Sequence, residues 1–461
     1  MMRSIVVTAV LAVLVVACGG SDEAAPAETA ETTEPAATVA VTEAATTEPD
    51  VSVSEPPSTM PVVDGPVVDG PVVEALLADP FRLVEQLAGD ELNGRNNSTE
   101  GSAAARELLL EMLVGVVEPA RPDAGGEEGY LQAYDDGTNI VGILPGRGAL
   151  ADEYVLVGAH YDHLGPGECD VRDATDDVVC NGAADNAAGV GAVISIINTI
   201  HYGDLQRSNG EVDGGDDVEG VDDLGRRSII VALWDGEEDG LIGSEVYVDD
   251  PLVPLEQTVA YVNFDIQGAQ LSPALADTTL LVGPETGGEV LVGAAGRATD
   301  ASPLDYATLS LIFGQGRSDH ANLTAAGVPS VFFTDANNGC YHTVLDDIAH
   351  VDRDKFYQQV GTAQALVDDL VATPTAPTFV ADAPLSTYDD AAALLEVVAR
   401  AEPDFELLPG DAPATTEQFL GELRAIVDAG PDAYDGAASG VVLGGAAVLV
   451  EALAESECTF P

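Results

Sequence analysis

Five short segments hold the side chains that could do chemistry. They are His160-Tyr161-Asp162, Asp185, Glu237-Glu238, Asp265 and Tyr341-His342. Two imidazoles and three carboxylates, from His160, His342, Asp185, Glu238 and Asp265, suit a pair of zinc ions, and cobalt or manganese would fit the same donors. A carboxylate can bridge two metals through its two oxygens, which a histidine cannot. Adjacent glutamates offer one side chain to bind metal and a neighbour to take a proton from water. Two metals about 3.5–4 Å apart can share that water and polarise a carbonyl oxygen.

Scattered residues need a scaffold that gathers them. Tyr154 to Ala159 reads as a strand and leads into His160. Ser228 to Leu233 leads into Trp234-Asp235-Gly236-Glu237-Glu238, Thr258 to Phe264 into Asp265, and Ser330 to Phe333 towards Tyr341-His342. Asp185 stands just before Gly189 to Ile200, an apolar run that reads as a buried helix. Asn139 to Leu144 and Thr279 to Val282 read as further strands. Ser102 is the predicted cap of a helix carrying Leu108, Leu109, Met112, Leu113 and Val116 on one face. Alternation of strands and helices predicts an α/β fold, a mostly parallel twisted sheet sandwiched by helices. In such sheets ligands collect at the carboxyl ends of the strands.

The segments Gly158-Ala159-His160-Tyr161-Asp162-His163-Leu164-Gly165, Asp185-Asn186-Ala187-Ala188-Gly189, Glu237-Glu238, Asn263-Phe264-Asp265, Ser318-Asp319-His320 and Tyr341-His342-Thr343 resemble, in the same order, the M28 family of zinc peptidases. The resemblance covers about residues 75 to 372. It implies a zinc-exopeptidase-like fold and an aminopeptidase that removes amino-terminal residues from peptides. Asp185 would bridge two zinc ions, with His160 and Asp265 completing one site and Glu238 and His342 the other. Glu237 resembles the general base, Asp162 the carboxylate that orients His160, and Tyr341 the residue that stabilises the oxyanion. The resemblance also implies a cis peptide at Asp185-Asn186. Ala184 and Ala188 depart from the acidic residue and serine common in the family, and the loop between His160 and Asp185 is longer than usual. Those departures concern the shape of the cleft, because all five ligand positions are filled.

Other readings compete. A carboxypeptidase or dipeptidase would anchor a free carboxylate, and Arg317 is the nearest candidate. A glutaminyl cyclase relative would need one zinc, and a non-catalytic lipid-anchored binding protein would typically have lost ligands. Ser318-Asp319-His320 cannot fold back into a serine-hydrolase triad, and no Gly-x-Ser-x-Gly elbow is present. That segment is expected to line the cleft, while His163, His201 and His350 read as structural.

The flanks set location and partners. Residues 1–17, with Arg3 before an apolar run, read as a signal peptide ending at Cys18, the expected site of a lipid anchor, although a secreted protein with a chance cysteine fits too. Residues 18–73 are rich in Ala, Thr, Glu and Pro and are expected to form a disordered acidic linker. Residues 74–372 form the expected peptidase domain and 373–461 a helical C-terminal extension in which no chemistry is visible. A net charge of −64 argues against nucleic acid as a partner and leaves peptides. Of the remaining cysteines, Cys169 and Cys180 share one polar loop and are the expected disulfide, which leaves Cys340 with Cys458. Metal binding by these thiols lacks any CxxC spacing. Residues 165–179 and 205–227 read as insertions, and the acidic, glycine-rich surface loop at 205–227 could bind calcium, without the spacing of an EF-hand.

Overall fold

A computed structural model describes residues 79–171, 178–208 and 225–458 of the 461. The predicted signal peptide, Cys18, the linker and the interiors of both acidic loops lie outside the described residues.

In chain order the main elements are α1 (Phe81–Leu87), α2 (Glu100–Leu113), β1 (Glu118–Pro119), β2 (Leu131–Tyr134), β3 (Gly137–Leu144), β4 (Arg147–Gly148), β5 (Tyr154–His160), α3 (Gly189–Ser208), β6 (Gly225–Arg226), β7 (Ser228–Trp234), α4 (Ile242–Asp249) and β8 (Thr258–Phe264). They continue with β9 (Thr278–Val282), α5 (Gly288–Asp300), β10 (Asp305–Leu309), α6 (His320–Ala325), β11 (Ser330–Thr334), α7 (Arg353–Ala372), α8 (Tyr388–Arg400), α9 (Ala412–Ala429) and α10 (Gly436–Ala454). The main sheet runs β1-β3-β7-β5-β8-β11-β9-β10, with β2 also paired to β3. Its four central strands, β7, β5, β8 and β11, are parallel, and β3 and β9 flank them antiparallel.

Side-chain alternation sorts these strands onto two faces. Val155, Val157 and Ala159 of β5, with Val331 and Phe333 of β11, join the core under α2, α3, α5 and α7. Leu156 of β5 and Ile230, Ala232 and Trp234 of β7 face the other way, towards Tyr247 of α4 and Leu323 of α6. Both faces are covered, so these strands read as continuous apolar runs.

The C-terminal helices finish that second face. Val282, Leu309 and Phe332 of the sheet pack against Leu394 and Val398 of α8, Phe419, Leu420 and Leu423 of α9 and Val442 of α10. Thr387 and Asp390 form a capping box at the start of α8. Asp390 also accepts from the amide and hydroxyl of Ser310, at 2.7 and 2.8 Å, which ties α8 to the end of β10. Gly445 lets α10 lie directly on α9: a Cβ there would sit 2.1 Å from the Phe419 ring.

One local expectation is corrected. Thr99, not Ser102, caps α2, its hydroxyl accepting from the Ser102 amide at 3.2 Å, and Ser102 is buried in the first turn. Both residues are good caps, and the turn Asn96-Asn97-Ser98 before the helix decides between them.

Candidate metal centre

Three of the central strands end on site residues. β5 ends at His160, Asp265 follows β8, and Glu237-Glu238 lies just beyond β7. Asp185 sits in a loop before α3 that other groups hold in place. The Asp346 carboxylate accepts from the amides of Ala184 and Asp185 at 2.8 and 3.0 Å. Asn186 donates to Phe264 O at 2.9 Å, joining that loop to the end of β8. The Asp185-Asn186 peptide is cis. Beneath the loop Arg95 is fully buried and donates to the carbonyls of Tyr161, Asn181 and Gly182 at 3.0, 2.7 and 3.0 Å, and to that of Leu87. One guanidinium therefore pins the His160 loop to the Asp185 loop.

The side chains converge. Asp185 Oδ1 lies 3.3 Å from His160 Nε2, and Asp185 Oδ2 lies 3.4 Å from His342 Nε2. His160 Nε2 is also 3.4 Å from Asp265 Oδ1 and 3.9 Å from Glu237 Oε2. On the other side His342 Nε2 is 3.0 Å from Glu238 Oε2. His163 Nδ1 stands 2.7 Å from the second oxygen of that glutamate. Two clusters result, His160–Glu237–Asp265 and His163–Asp185–Glu238, each with donor atoms within 4.8 Å of one another. The Asp162 carboxylate accepts from the amides of Glu237 and Glu238 at 3.2 and 3.3 Å, and its Oδ1 is 3.5 Å from His160 Nδ1. That places both glutamates and one face of His160 around a single buried acid.

So many buried carboxylates demand positive charge. Burial disfavours a charged His160, but Glu237 and Asp265 overcome it and raise its pKa well above the usual value. His342 is lifted to about 10 by Asp185 and Glu238, also against burial. Burial and Asp185 push Glu238 upward, yet His163 and His342 hold it at about 2. Glu237 is shifted the other way, well upward, by burial and by neighbouring acids against the pull of His160. Burial and the same acids keep the Tyr341 phenol protonated far into the alkaline range.

A bound cation is the other way to balance such a site, and the residues fit one. The Nε2 atoms of His160 and His342 and Oδ1 of Asp265 are buried without a hydrogen-bond partner. Leaving a buried polar atom unsatisfied costs about 1–3 kcal/mol, so these atoms point to a missing ligand. Nitrogen and carboxylate oxygen donors are those zinc accepts.

Both disulfides meet the His342 loop. Cys169–Cys180 and Cys340–Cys458 are bonded. The first packs against Val344, and the neighbouring Asp170 amide donates to His342 O at 2.9 Å. The second joins the loop just before Tyr341 to the end of the chain. His342 itself has a positive φ of 54°, as do Ile266, Gln315 and Ala336 around the cleft, a concentration of unusual backbone typical of functional sites.

Beside the two clusters a cleft opens, its lining including Asp185, Glu237, Asp265 and Tyr341. Its far side is apolar and includes Val397 of α8 and Leu449 and Leu453 of α10. The extension in which the sequence reveals no chemistry thus supplies a wall of the cleft. Arg317 lines it too, with its Nε donating to Gln315 at 3.1 Å. Ser318, Asp319 and His320 do not line the cleft as expected but are buried behind it. Ser318 accepts from Asn263 at 2.7 Å, and His320 stacks on Phe332 with ring centroids 4.4 Å apart. His163, read as structural, stands inside the second cluster; its signal was the spacing His160-x-x-His163 after a strand end. Arg95 left no signal, because its role is to carbonyls that only the fold brings near.

Parallel strands ending on two adjoining histidine–carboxylate clusters, with Asp185 of one lying 3.3 Å from His160 of the other, define the scaffold of a metallopeptidase. The chain belongs to peptidase family M28, whose family model matches residues 139–367. Membership implies zinc. A probable glutamate carboxypeptidase, VP8 of Zea mays, is 30% identical over 223 residues, covering 45% of this chain and 26% of its own. A vacuolar membrane protease of Colletotrichum graminicola is 29% identical over 228 residues, covering 48% and 18%. The chain thus spans about a quarter or less of the length of these curated relatives. Among solved structures, the Legionella pneumophila LapA aminopeptidase is similar at 17% identity, with a TM-score of 0.46 over 65% of this chain and 74% of that one.

Proposed function

We propose that this chain is an extracytoplasmic aminopeptidase that hydrolyses the peptide bond next to a free amino terminus and uses two zinc ions. The observation that carries the reading is Asp185, whose two oxygens face two different histidines beside Glu237 in the lining of a cleft. His160 and Asp265 would hold one ion and Glu238 and His342 the other, with the two oxygens of Asp185 available to both. When bound, the metals supply Lewis-acid polarisation of the scissile carbonyl and acidify a water.

The remaining steps belong to the protein. Glu237 takes a proton from the attacking water and passes it to the leaving amine, a role suited to a buried carboxyl whose pKa is raised. Tyr341, stacked on His342 with centroids 3.8 Å apart, keeps its proton and donates it as a hydrogen bond to the developing oxyanion. Asp162 positions His160 and both glutamates. Asp185, Glu237 and Asp265 in the cleft lining attract an ammonium group, which supports cleavage beside a free amino terminus. Two disulfides support an oxidising compartment, reached through the signal peptide and retained by a lipid on Cys18.

A carboxypeptidase is the second reading, favoured by one observation: Arg317 lines the cleft and could meet a free carboxylate. A panel of aminoacyl amides, amino-blocked peptides and carboxyl-amidated peptides separates the two, run with and without a chelator. Aminopeptidase activity cleaves amides with a free amine, ignores blocked ones, and is lost to the chelator and restored by zinc. Cleavage of amino-blocked peptides alone would replace this reading with the second.

A further inference from the structure

His163 lies three residues past the end of β5 and is fully buried beside the second cluster. Its ring is fixed from several sides. Gly182 packs against it so closely that a Cβ there would collide with the ring, and its φ of 56° disfavours a side chain as well. Arg95 donates to the carbonyls of Tyr161 and Gly182, so one guanidinium secures both the turn that leads to His163 and the glycine that packs on it. The His342 ring meets it edge to face, with centroids 5.9 Å apart.

A buried histidine held this firmly ordinarily uses its nitrogens for hydrogen bonds. His163 uses neither. Nδ1 and Nε2 are both buried without a hydrogen-bond partner. Nδ1 nevertheless stands 2.7 Å from Glu238 Oε1, which is buried and unpartnered too. A lone pair and a carboxylate oxygen at that distance repel each other unless positive charge lies between them. A proton there would form a hydrogen bond, but the two atoms are not aligned for one. A cation within reach of both satisfies the pair without that alignment, and imidazole nitrogen and carboxylate oxygen are donors zinc accepts.

The surroundings fit the same conclusion. Donor atoms of His163, Asp185 and Glu238 lie within 4.8 Å of one another. His342 reaches the same two carboxylates, at 3.4 and 3.0 Å, but its side chain is 34% exposed. The second cluster therefore has an open histidine and a sealed one on the same pair of acids.

We infer that His163 is a metal ligand, its Nδ1 joining Asp185, Glu238 and His342 around the second ion. That position then has four protein donors, against three at the first. A fourth donor leaves the second ion fewer open positions, which places the exchangeable ones on the His160 side. The inference rests on the two-metal reading proposed above, and not on which peptide bond is cut.

The test compares the full chain with His163→Ala and His163→Asn, each stripped of metal and reloaded with zinc or cobalt. Asparagine keeps an N–H near the place of Nδ1 and can still donate to Glu238, but its amide nitrogen does not bind a metal. It is also the closer in size, should the alanine variant fold poorly. In zinc titrations against a competing chelator, both variants should weaken one of the two binding steps by more than about 100-fold. Losing a group that merely orients a ligand costs roughly 10–100-fold. With cobalt, the visible absorption should intensify in both variants as one ion loses a donor. Proton spectra of the cobalt-loaded chains supply a count, because each ligating ring gives one strongly shifted N–H signal. The unaltered chain should show one such signal more than His163→Asn. Equal counts, or tight binding restored by asparagine and not by alanine, overturn the inference and leave His163 a hydrogen-bond partner of Glu238. Two zinc ions bound with unchanged affinity in both variants overturn it alone. An unaltered chain that takes up no second ion overturns the two-metal reading and this inference with it.

Discussion

The two walls of the cleft are built from different materials. The first consists of charged side chains at the ends of parallel strands, each held by backbone hydrogen bonds to a neighbouring strand or loop. The second consists of leucines and valines on helices added after residue 372, held by packing and one disulfide. Strand ends fix atoms to within a fraction of an ångström, which hydrolysis needs. Helix faces fix only a shape, which is enough to select a side chain. The comparison teaches a division of materials: the charged side chains stand on the ends of the sheet and much of the apolar lining on the appendage, so the two can be altered separately.

The sharpest way to break that division is Glu237→Gln. The amide keeps the size of the carboxyl but cannot take a proton. It should lower kcat by at least about 10²–10⁴ for every amide in the panel, with the zinc content unchanged. A loss that varied with the substrate's side chain would mean that the charged wall also selects, and the division would fail.

The first wall was legible in sequence and the second was not, for a physical reason. With the cysteines assigned to disulfides, the candidate ligands are His, Asp and Glu, and most of them stand after apolar strand runs, so few residues qualify. His160, Asp185, Glu238, Asp265 and His342 all meet at one place in the fold. Leu449 and Leu453 are leucines in a helix, and nothing in their type distinguishes a cleft wall from an ordinary core. The strands of the central sheet were legible because both faces are buried. β2 and β10 were missed because partial exposure mixes polar residues into them, as in Asp305-Tyr306-Ala307-Thr308-Leu309. Arg95 and His163 show the remaining gap: each acts on partners that only tertiary structure brings close.

The histidines extend the comparison. His160 and His342 on the charged wall are pushed upward by carboxylates, whereas His320 behind the apolar wall is held down, its pKa lowered to about 3 by burial alone. Between about pH 6.5 and about 3 the unfolded chain therefore binds a proton at His320 that the folded chain refuses. Stability is complete above that window and falls as pH drops through it, by up to about 1.4 kcal/mol per pH unit from this group. Denaturant unfolding of His320→Phe between pH 4 and 7 should show a slope shallower by one proton. An unchanged slope would mean that water reaches the ring and that the apolar wall is leakier than its packing indicates.

Arg317→Ala should have the smallest effect, and that makes it the most discriminating variant. Among the described residues Arg317 is the one cation lining the cleft, so the second reading needs it to grip a substrate carboxylate. Its Nε is already engaged by Gln315. The aminopeptidase reading seats the substrate's amine at the carboxylates and asks nothing of the guanidinium. KM for leucyl amide should then change by less than about threefold, because a rim charge outside the contact contributes little to binding. A carboxylate anchor behaves differently: removing a bidentate guanidinium from a bound carboxylate costs about 2–5 kcal/mol, a loss of 30-fold or more in kcat/KM. A loss of that size on peptides with a free carboxyl terminus, and none on amides, would move this chain to carboxypeptidase chemistry on the same metals.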